Sequence, residues 1–207
     1  MPNANWDKKE WSNINSLTLQ NKILNSPSFV PNTKVKMMYN KEYIYVIFRV
    51  KDKFVRSVNT EINSKVSNDS CVEFFFTPEQ SKTAGYFNLE VNAGGTPLMR
   101  FQKRYNVDKI QIDIKDIRDI EITHSLPSII EPEISEPTTW VIEYRISLKM
   151  LNKYYKITMP AKGVKWHANF YKIGNETSNP HYLTWNKIEH PQSDFHLPEY
   201  FGEIEFI

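Results

Sequence analysis

This chain of 207 residues has a single cysteine, Cys71, so no disulfide can form within it and its fold rests on packing alone. It has no apolar run near the roughly 20 residues that cross a bilayer as a helix. It has no excess of one charge: 26 basic residues face 24 acidic ones, which gives no case for nucleic acid or an anionic membrane surface as a partner. Its N-terminus, "MPNANWDKKEWSNINSL", has no apolar core of a signal peptide, so the expected location is cytoplasmic if the native chain starts here, and periplasmic or secreted if a signal has been removed. Long amphipathic helices are missing too, and this last absence is the most informative about the fold.

What replaces them is a series of short alternating runs. Residues 1–32 read as an irregular N-terminal segment packed on the domain, since "SPSFVPNT" carries two prolines that suit neither helix nor inner strand. From residue 33 the strand signals come one after another. "TKVKMMY" (33–39) and "YIYVIFRV" (43–50) flank the turn "NKE" and predict a hairpin. "CVEFFFT" (71–77), "GYFNLEVNA" (85–93) and "PLMRFQKR" (97–104) predict three more strands, with "GG" as a turn. Isoleucines at 110, 112, 114, 117, 120 and 122 fit two short strands broken near Lys115–Asp116, although part of that spacing also suits a helix. Residues 125–137 carry three prolines and read as a loop. "TTWVIEYRIS" (138–147) alternates cleanly, with Trp140, Ile142, Tyr144 and Ile146 on one face. "LKMLNKYY" reads as a helical turn or two. "VKWHANFYKIG", "HYLTW" and "FGEIEFI" close the series. About ten short strands and one short helix predict an all-β fold, an antiparallel β-sandwich of immunoglobulin-like or jelly-roll type, over residues 33–207.

Catalytic and metal signatures are thin. There is no G-x-S-x-G elbow. Ser193, Asp194 and His196 are close in sequence, but neighbours on an extended chain point in different directions, and a triad is defined by geometry. His190, Asp194 and His196 meet no recognised zinc spacing. Oxygens of Asp52 or Asp69 suit a loop calcium site, without an Asp-rich loop to support one. No P-loop, dinucleotide fingerprint or C-x-x-C-H haem attachment is present. "RFQKRY" (100–105), the one basic stretch with aromatics, reads as the solvated face of an edge strand.

One acid stands out. In "DSCVEFFF" (69–76), alternation puts Val72, Phe74 and Phe76 on the core face and Cys71, Glu73 and Phe75 on the other. Two readings fit Glu73: a carboxylate at the rim of a cleft, or a buried acid paired with Arg49 or Arg145. The tail "WNKIEHPQSDFHLPEYFGEIEF" adds a proline-stiffened loop in which Phe195 and His196 are candidates for exposure, and Phe201 for a plug.

The ordered set of motifs resembles the family 9 carbohydrate-binding modules. "VKMMYNKEYIYVIFRVKD" is similar to that family's early hairpin, ending in a Val-x-Asp (Val50, Asp52). "NDSCVEFFF" resembles its Asp-Ser-Val-Glu strand, with Cys71 inserted. "YFNLEVNAGG" resembles the family's next strand, and "WVIEYRISLKML" its strand running into a short helix. "WHANFYKI", "YLTW" and "FHLPEYFGEIEF" resemble its closing portion, so the likeness covers about residues 33–207. The resemblance implies a β-sandwich that binds sugar chain ends between two tryptophans, often beside glycoside hydrolases in polysaccharide catabolism, with calcium in some members. It implies a carbohydrate-binding set of Glu73, Glu90, Tyr171, Phe195 and His196. Glu73 matches a sugar-contacting glutamate, and Phe195 stands where the second tryptophan does. His196 and Glu90 replace arginines, and Tyr171 lies near a ligand-contacting glutamine. The first tryptophan has no counterpart in "SKVSN" (64–68), a loss of about 1 kcal/mol of stacking. The expected function is therefore noncatalytic carbohydrate binding. The alternatives are a carbohydrate-active enzyme, which needs two facing carboxylates, and a haem-binding or purely structural sandwich, where haem requires an axial Met, His or Lys in an apolar pocket.

Overall fold

The computed structural model describes residues 1–23, 26–190 and 194–207. Along the chain come α1 (Lys9–Ser12), β1 (Leu17–Leu19), β2 (Asn21–Lys22), β3 (Asn32–Tyr39), β4 (Tyr43–Asp52), β5 (Val55–Ser57), β6 (Cys71–Thr77), β7 (Tyr86–Asn92), β8 (Pro97–Gln102) and β9 (Ile110–Gln111). Next are α2 (Ile114–Arg118), β10 (Glu121–His124), β11 (Ile130–Ile134), β12 (Thr138–Ser147), α3 (Leu148–Tyr154), β13 (Lys165–Ile173), β14 (Tyr182–Thr184) and β15 (Gly202–Glu205). All pairings are antiparallel. One sheet runs β1-β3-β4-β12-β10; the other runs β2-β14-β13-β6-β7-β8-β9, with β15 also on β13. β5 and β11 form a small third ribbon. The all-β sandwich expected from the alternation is the architecture found.

The core lies between the two large sheets, where the alternation placed it. Val72, Phe74 and Phe76 of β6 face Trp140, Ile142, Tyr144 and Ile146 of β12 across the interior. Phe74 stacks on Phe76 and on Phe170 at ring distances of 4.4 and 4.8 Å. Each of these fully buried side chains contributes about 1.5–3 kcal/mol through removal from water.

Three local expectations are corrected. The isoleucine stretch breaks into α2 rather than a bare kink. Asp113 caps it by accepting from Lys115 N, and Ile112, Ile117 and Ile120 all reach the core, a spacing a helical turn satisfies and a continuous strand does not. The proline-rich loop at 125–137 contains β11, whose register on β5 is irregular between Ile130 and Ile134; Pro132 sits in that irregularity, where a missing N–H costs no ladder bond. The stretch read as an irregular leader holds α1, β1 and β2, of which β1 pairs with β3 and β2 with β14.

Each sheet also has an outer face, and both are covered. The N-terminal segment lies over the first sheet, packing Trp6 and Trp11 on Ile47 and Val141. The outer face of the second sheet carries a separate cluster of Cys71, Phe75, Tyr86, Leu98, Tyr171 and Ile173, roofed in part by Phe195 and Phe201 from the C-terminal loop. The candidate site is on this second outer face.

Candidate functional site

β13, β6, β7 and β8 lie side by side, and strand register brings Tyr171, Glu73, Glu90 and Leu98 into one row across them. Period-2 alternation sends all four side chains outward. Glu73 and Glu90 are direct partners, which sets their Cβ atoms about 4.5–5.5 Å apart. Above this row is a cavity of about 560 Å³, lined by Ser67, Glu73, Glu90, Tyr105, Ile173, Asn175, Tyr182, Asp194, Phe195 and His196. A second hollow of about 490 Å³, between β3 and β15, has mainly apolar walls and no pair of carboxylates.

Of the five residues singled out in the sequence, four meet in this cavity and one lies behind it. Glu73 and Glu90 form the floor, at 2 % and 7 % exposure. Phe195 and His196 form a wall. Phe195 is 7 % exposed, so the mid-loop exposure anticipated for it is not observed; its ring is seated flat on Tyr171 at 4.1 Å. Tyr171 is fully buried and absent from the lining. Its hydroxyl donates to the Phe195 carbonyl at 3.0 Å, so it carries Phe195 from beneath.

The sequence reading overlooked Tyr105, the one strongly exposed ring of the lining at 55 %. It comes after β8 in a tight turn in which Asn106 and Asp108 take positive φ of 57° and 47°. Its ring lies against His196, with centroids 4.5 Å apart. Tyr182, on the Phe195 side, is half-buried and edge-on to Phe195 at 6.3 Å. An aromatic at the end of a basic strand, with turn residues after it, was the available signal. In "SKVSN" the structure buries Val66 and lines the cavity with Ser67.

Neither arginine proposed as a partner reaches Glu73. Arg145 pairs with Glu121, and Arg49 lies over the Trp6 ring at 4.6 Å. Among the described residues the Glu73 carboxyl takes part in no hydrogen bond and no ion pair. Burial, reinforced by the neighbouring Glu90 charge and opposed by the Lys172 charge behind the sheet, raises its carboxyl well above the usual carboxylate range. Burial also lifts Glu90 to about 7, against the opposing effects of a 3.0 Å hydrogen bond from Asn88 and the charge of Arg100. Two acids this close in a largely buried floor cannot both ionise easily, so they hold a proton near neutrality.

His196 is kept neutral: burial depresses it to about 4. His196 Nδ1 lies 2.8 Å from the Tyr86 hydroxyl and 3.1 Å from Gln102 Nε2, whose partner Oε1 accepts from Asn106 N; two donors beside Nδ1 suit the tautomer with the ring proton on Nε2. His196 N donates to Asp194 Oδ1 at 2.8 Å. Ser193, the third member of the triad considered above, lies outside the described residues.

The aspartates considered for calcium are already engaged. Asp69 Oδ2 accepts from Val58 N, Asn59 N and Asn92 Nδ2, which fastens a loop, and Arg56 stands 3.8 Å from Oδ1. Asp52 faces the fully buried Lys172 ammonium at 3.3 Å, a charge contact without the alignment of a hydrogen bond. Lys172 in turn donates to His181 Nε2 at 2.7 Å. With an ammonium already against Asp52, these residues do not fit a metal ion, and no group of three or more His, Cys, Asp or Glu that could hold one exists among the described residues. Nor, among them, is any helix long and apolar enough to cross a membrane.

Comparison with known proteins bears on the family and the fold. A family model described as "Carbohydrate-binding family 9" matches residues 5–206. A crystal structure of a protein from Bacteroides uniformis ATCC 8492, provisionally described as carbohydrate-binding, is similar over 96 % of this chain and 88 % of its own, with 24 % identity and a TM-score of 0.84. A family 9 carbohydrate-binding module from Caldicellulosiruptor kristjanssonii is similar at 17 % identity in two complexes. With cellotriose the TM-score is 0.65, over 96 % of this chain and 85 % of that one. With glucose it is 0.67, over 99 % and 91 %. At these identities the structures speak to fold alone. None of the curated proteins matches the chain.

Proposed function

The chain belongs to carbohydrate-binding family 9, and on that premise we propose that the cavity over Glu73 and Glu90 holds the end of a glycan, without catalysis, in a role linked to carbohydrate catabolism. The observation that carries this reading is the pairing of an exposed ring, Tyr105, with a buried acid, Glu73, whose carboxylate has no donor among the described residues, in one cavity. A pyranose is the ligand shape that uses both: its C–H face stacks on an aromatic ring while its hydroxyls donate to carboxylates.

In this reading Glu73 and Glu90 accept from neighbouring hydroxyls. His196 offers its Nε2–H, which makes no hydrogen bond among the described residues. Tyr105 supplies the stacking face, a role that the absence of an aromatic in residues 64–68 leaves to it. Phe195 gives an apolar edge, and Tyr171 supports Phe195 instead of touching sugar. The noncatalytic part rests on placement. Glu73 and Glu90 stand side by side on neighbouring strands, on one side of any ligand, whereas glycoside hydrolysis needs carboxylates flanking the scissile bond.

Calorimetric titration with a panel of mono- and disaccharides, glucose and cellobiose among them, tests this. Saturable binding by the wild type, lost in a folded Glu73→Ala variant, is the expected result. If no sugar in the panel binds, or if Glu73→Ala binds equally well, the assignment of this cavity fails.

A further inference from the structure

The floor of the cavity has a specific chemical deficit. Glu73 is 2 % exposed, lines the cavity, and receives neither a hydrogen bond nor a counter-ion among the described residues. Glu90, its register partner, receives one neutral hydrogen bond, from Asn88. A third carboxylate, Asp194, lines the same space. Among the described residues no cation lines it. Arg100 lies one row along, opposite Asn88 on β8, where its charge reaches Glu90 without lining the cavity. Lys172 projects from the other face of β13, where Asp52 and His181 occupy it. His196 is the remaining candidate for positive charge, and its burial, with two donors beside Nδ1, favours the neutral ring.

Buried acceptors without donors are uncommon because a carboxylate stripped of water loses several kcal/mol of hydration. Neutral sugar hydroxyls would supply donors but bring no positive charge into the cavity. A protonated amine supplies three donors and the missing charge together, and charge-assisted bonds are roughly twice as strong as neutral ones. An acidic sugar would bring a further negative charge to the same place.

Building on the carbohydrate-binding reading, we propose that this cavity selects a glycan whose terminal residue carries a free amine, a hexosamine unit, with its ammonium over Glu73 and Glu90 and its ring against Tyr105. The amine displaces the proton that the two carboxyls otherwise share. N-acetylation removes the charge and adds bulk, so the acetylated counterpart binds less well. High salt narrows the preference, because part of it is electrostatic.

The test is calorimetry with the intact chain at about pH 7, where a sugar amine is still largely protonated and Glu90 is no longer held neutral. The ligands are a β-1,4-linked glucosamine disaccharide, its di-N-acetyl form, and cellobiose. The expected result is roughly tenfold or greater preference for the free amine over cellobiose, falling to within about twofold in Glu73→Gln. Glu90→Gln serves as the second variant should Glu73→Gln fold poorly. Equal or tighter binding of cellobiose by the wild type overturns the proposal while leaving carbohydrate binding intact. So does a preference for the amine that survives both substitutions. If none of the three ligands binds, the carbohydrate reading and this inference fall together.

Discussion

Glu73 and Glu143 occupy matching situations and are treated oppositely. Each is an acid on the outward face of an inner strand, and each is almost wholly buried, at 2 % and 1 % exposure. Glu143, on β12, is filled with donors. Its Oε2 accepts from Asn3 N and Ala4 N at 2.8 and 2.9 Å, its Oε1 accepts from Trp11 Nε1 at 3.0 Å, and Lys8 Nζ stands at 3.8 Å. Glu73, on β6, receives nothing from the described residues. One carboxylate fastens the N-terminal segment to its sheet; the other faces a cavity, the place of the proposed ligand. A fold can bury a charge for stability or hold it in reserve for a ligand, and the donors around it tell which.

The sharpest way to break the comparison is to remove Glu143. Glu143→Ala leaves two backbone N–H groups and the Trp11 indole N–H without an acceptor and uncouples the segment that covers Ile47 and Val141. A loss of about 3–5 kcal/mol in denaturant unfolding is expected. A loss under about 1 kcal/mol would show that the segment is held by its tryptophans alone.

Phe195→Ala should come next. Its ring is seated on Tyr171 and largely buried, so truncation is expected to destabilise by about 2–4 kcal/mol. Sugar affinity should fall with it, because His196 and Asp194 lose the anchor that places them. If stability is unchanged, the stacked seat contributes little and the loop is held elsewhere.

These two effects mark what a sequence can and cannot disclose. Alternation alone moved Glu73 and Phe75 off the core face and put Trp140, Ile142, Tyr144 and Ile146 on it, because strand periodicity is local. The partners of Glu143 are about 140 residues away in the chain, and no periodicity encodes a contact at that range. The same limit explains Glu73: whether an arginine would meet it depended on register between strands, and the register brought Glu90 instead. β11 was hidden by its prolines, and α2 by isoleucines whose spacing serves strand and helix alike. Family resemblance supplied the row of candidates, but four of the five line the cavity and Tyr171 does not. Only the packed structure shows that difference.

Glu73→Gln should have the opposite sign to Glu143→Ala. The Glu73 and Glu90 carboxyls bind a proton more tightly folded than unfolded, so they favour the folded state at low pH. That stability is lost as pH rises from the ordinary carboxylate range through about 7. The wild type should therefore unfold at lower temperature at pH 8 than at pH 5. Glu73→Gln should flatten that slope and gain about 1–3 kcal/mol at the higher pH. Titrating groups elsewhere add to the absolute curve, so the quantity to measure is the difference between wild type and variant by thermal melts across pH. A parallel pair of curves would show that the two acids do not repel in the folded protein.

The smallest effect on stability is also the most specific to function. Tyr105 is 55 % exposed and makes no hydrogen bond through its hydroxyl among the described residues; its only ring neighbour there is His196. Removing an exposed ring from a turn should move unfolding by no more than about 0.5 kcal/mol. Removing the stacking face of a pyranose should cost about 1 kcal/mol of binding, or roughly fivefold in affinity. Tyr105→Ala is thus expected to leave the melting curve in place and weaken sugar binding, while Tyr105→Phe keeps both, since the ring and not the hydroxyl supplies the stacking face. This inverts the pattern expected of Phe195→Ala, in which stability and affinity fall together. If Tyr105→Ala binds sugar as tightly as wild type, then the exposed ring lies beside the ligand and not against it, and the stacking face must be sought on the Tyr182 side of the cavity.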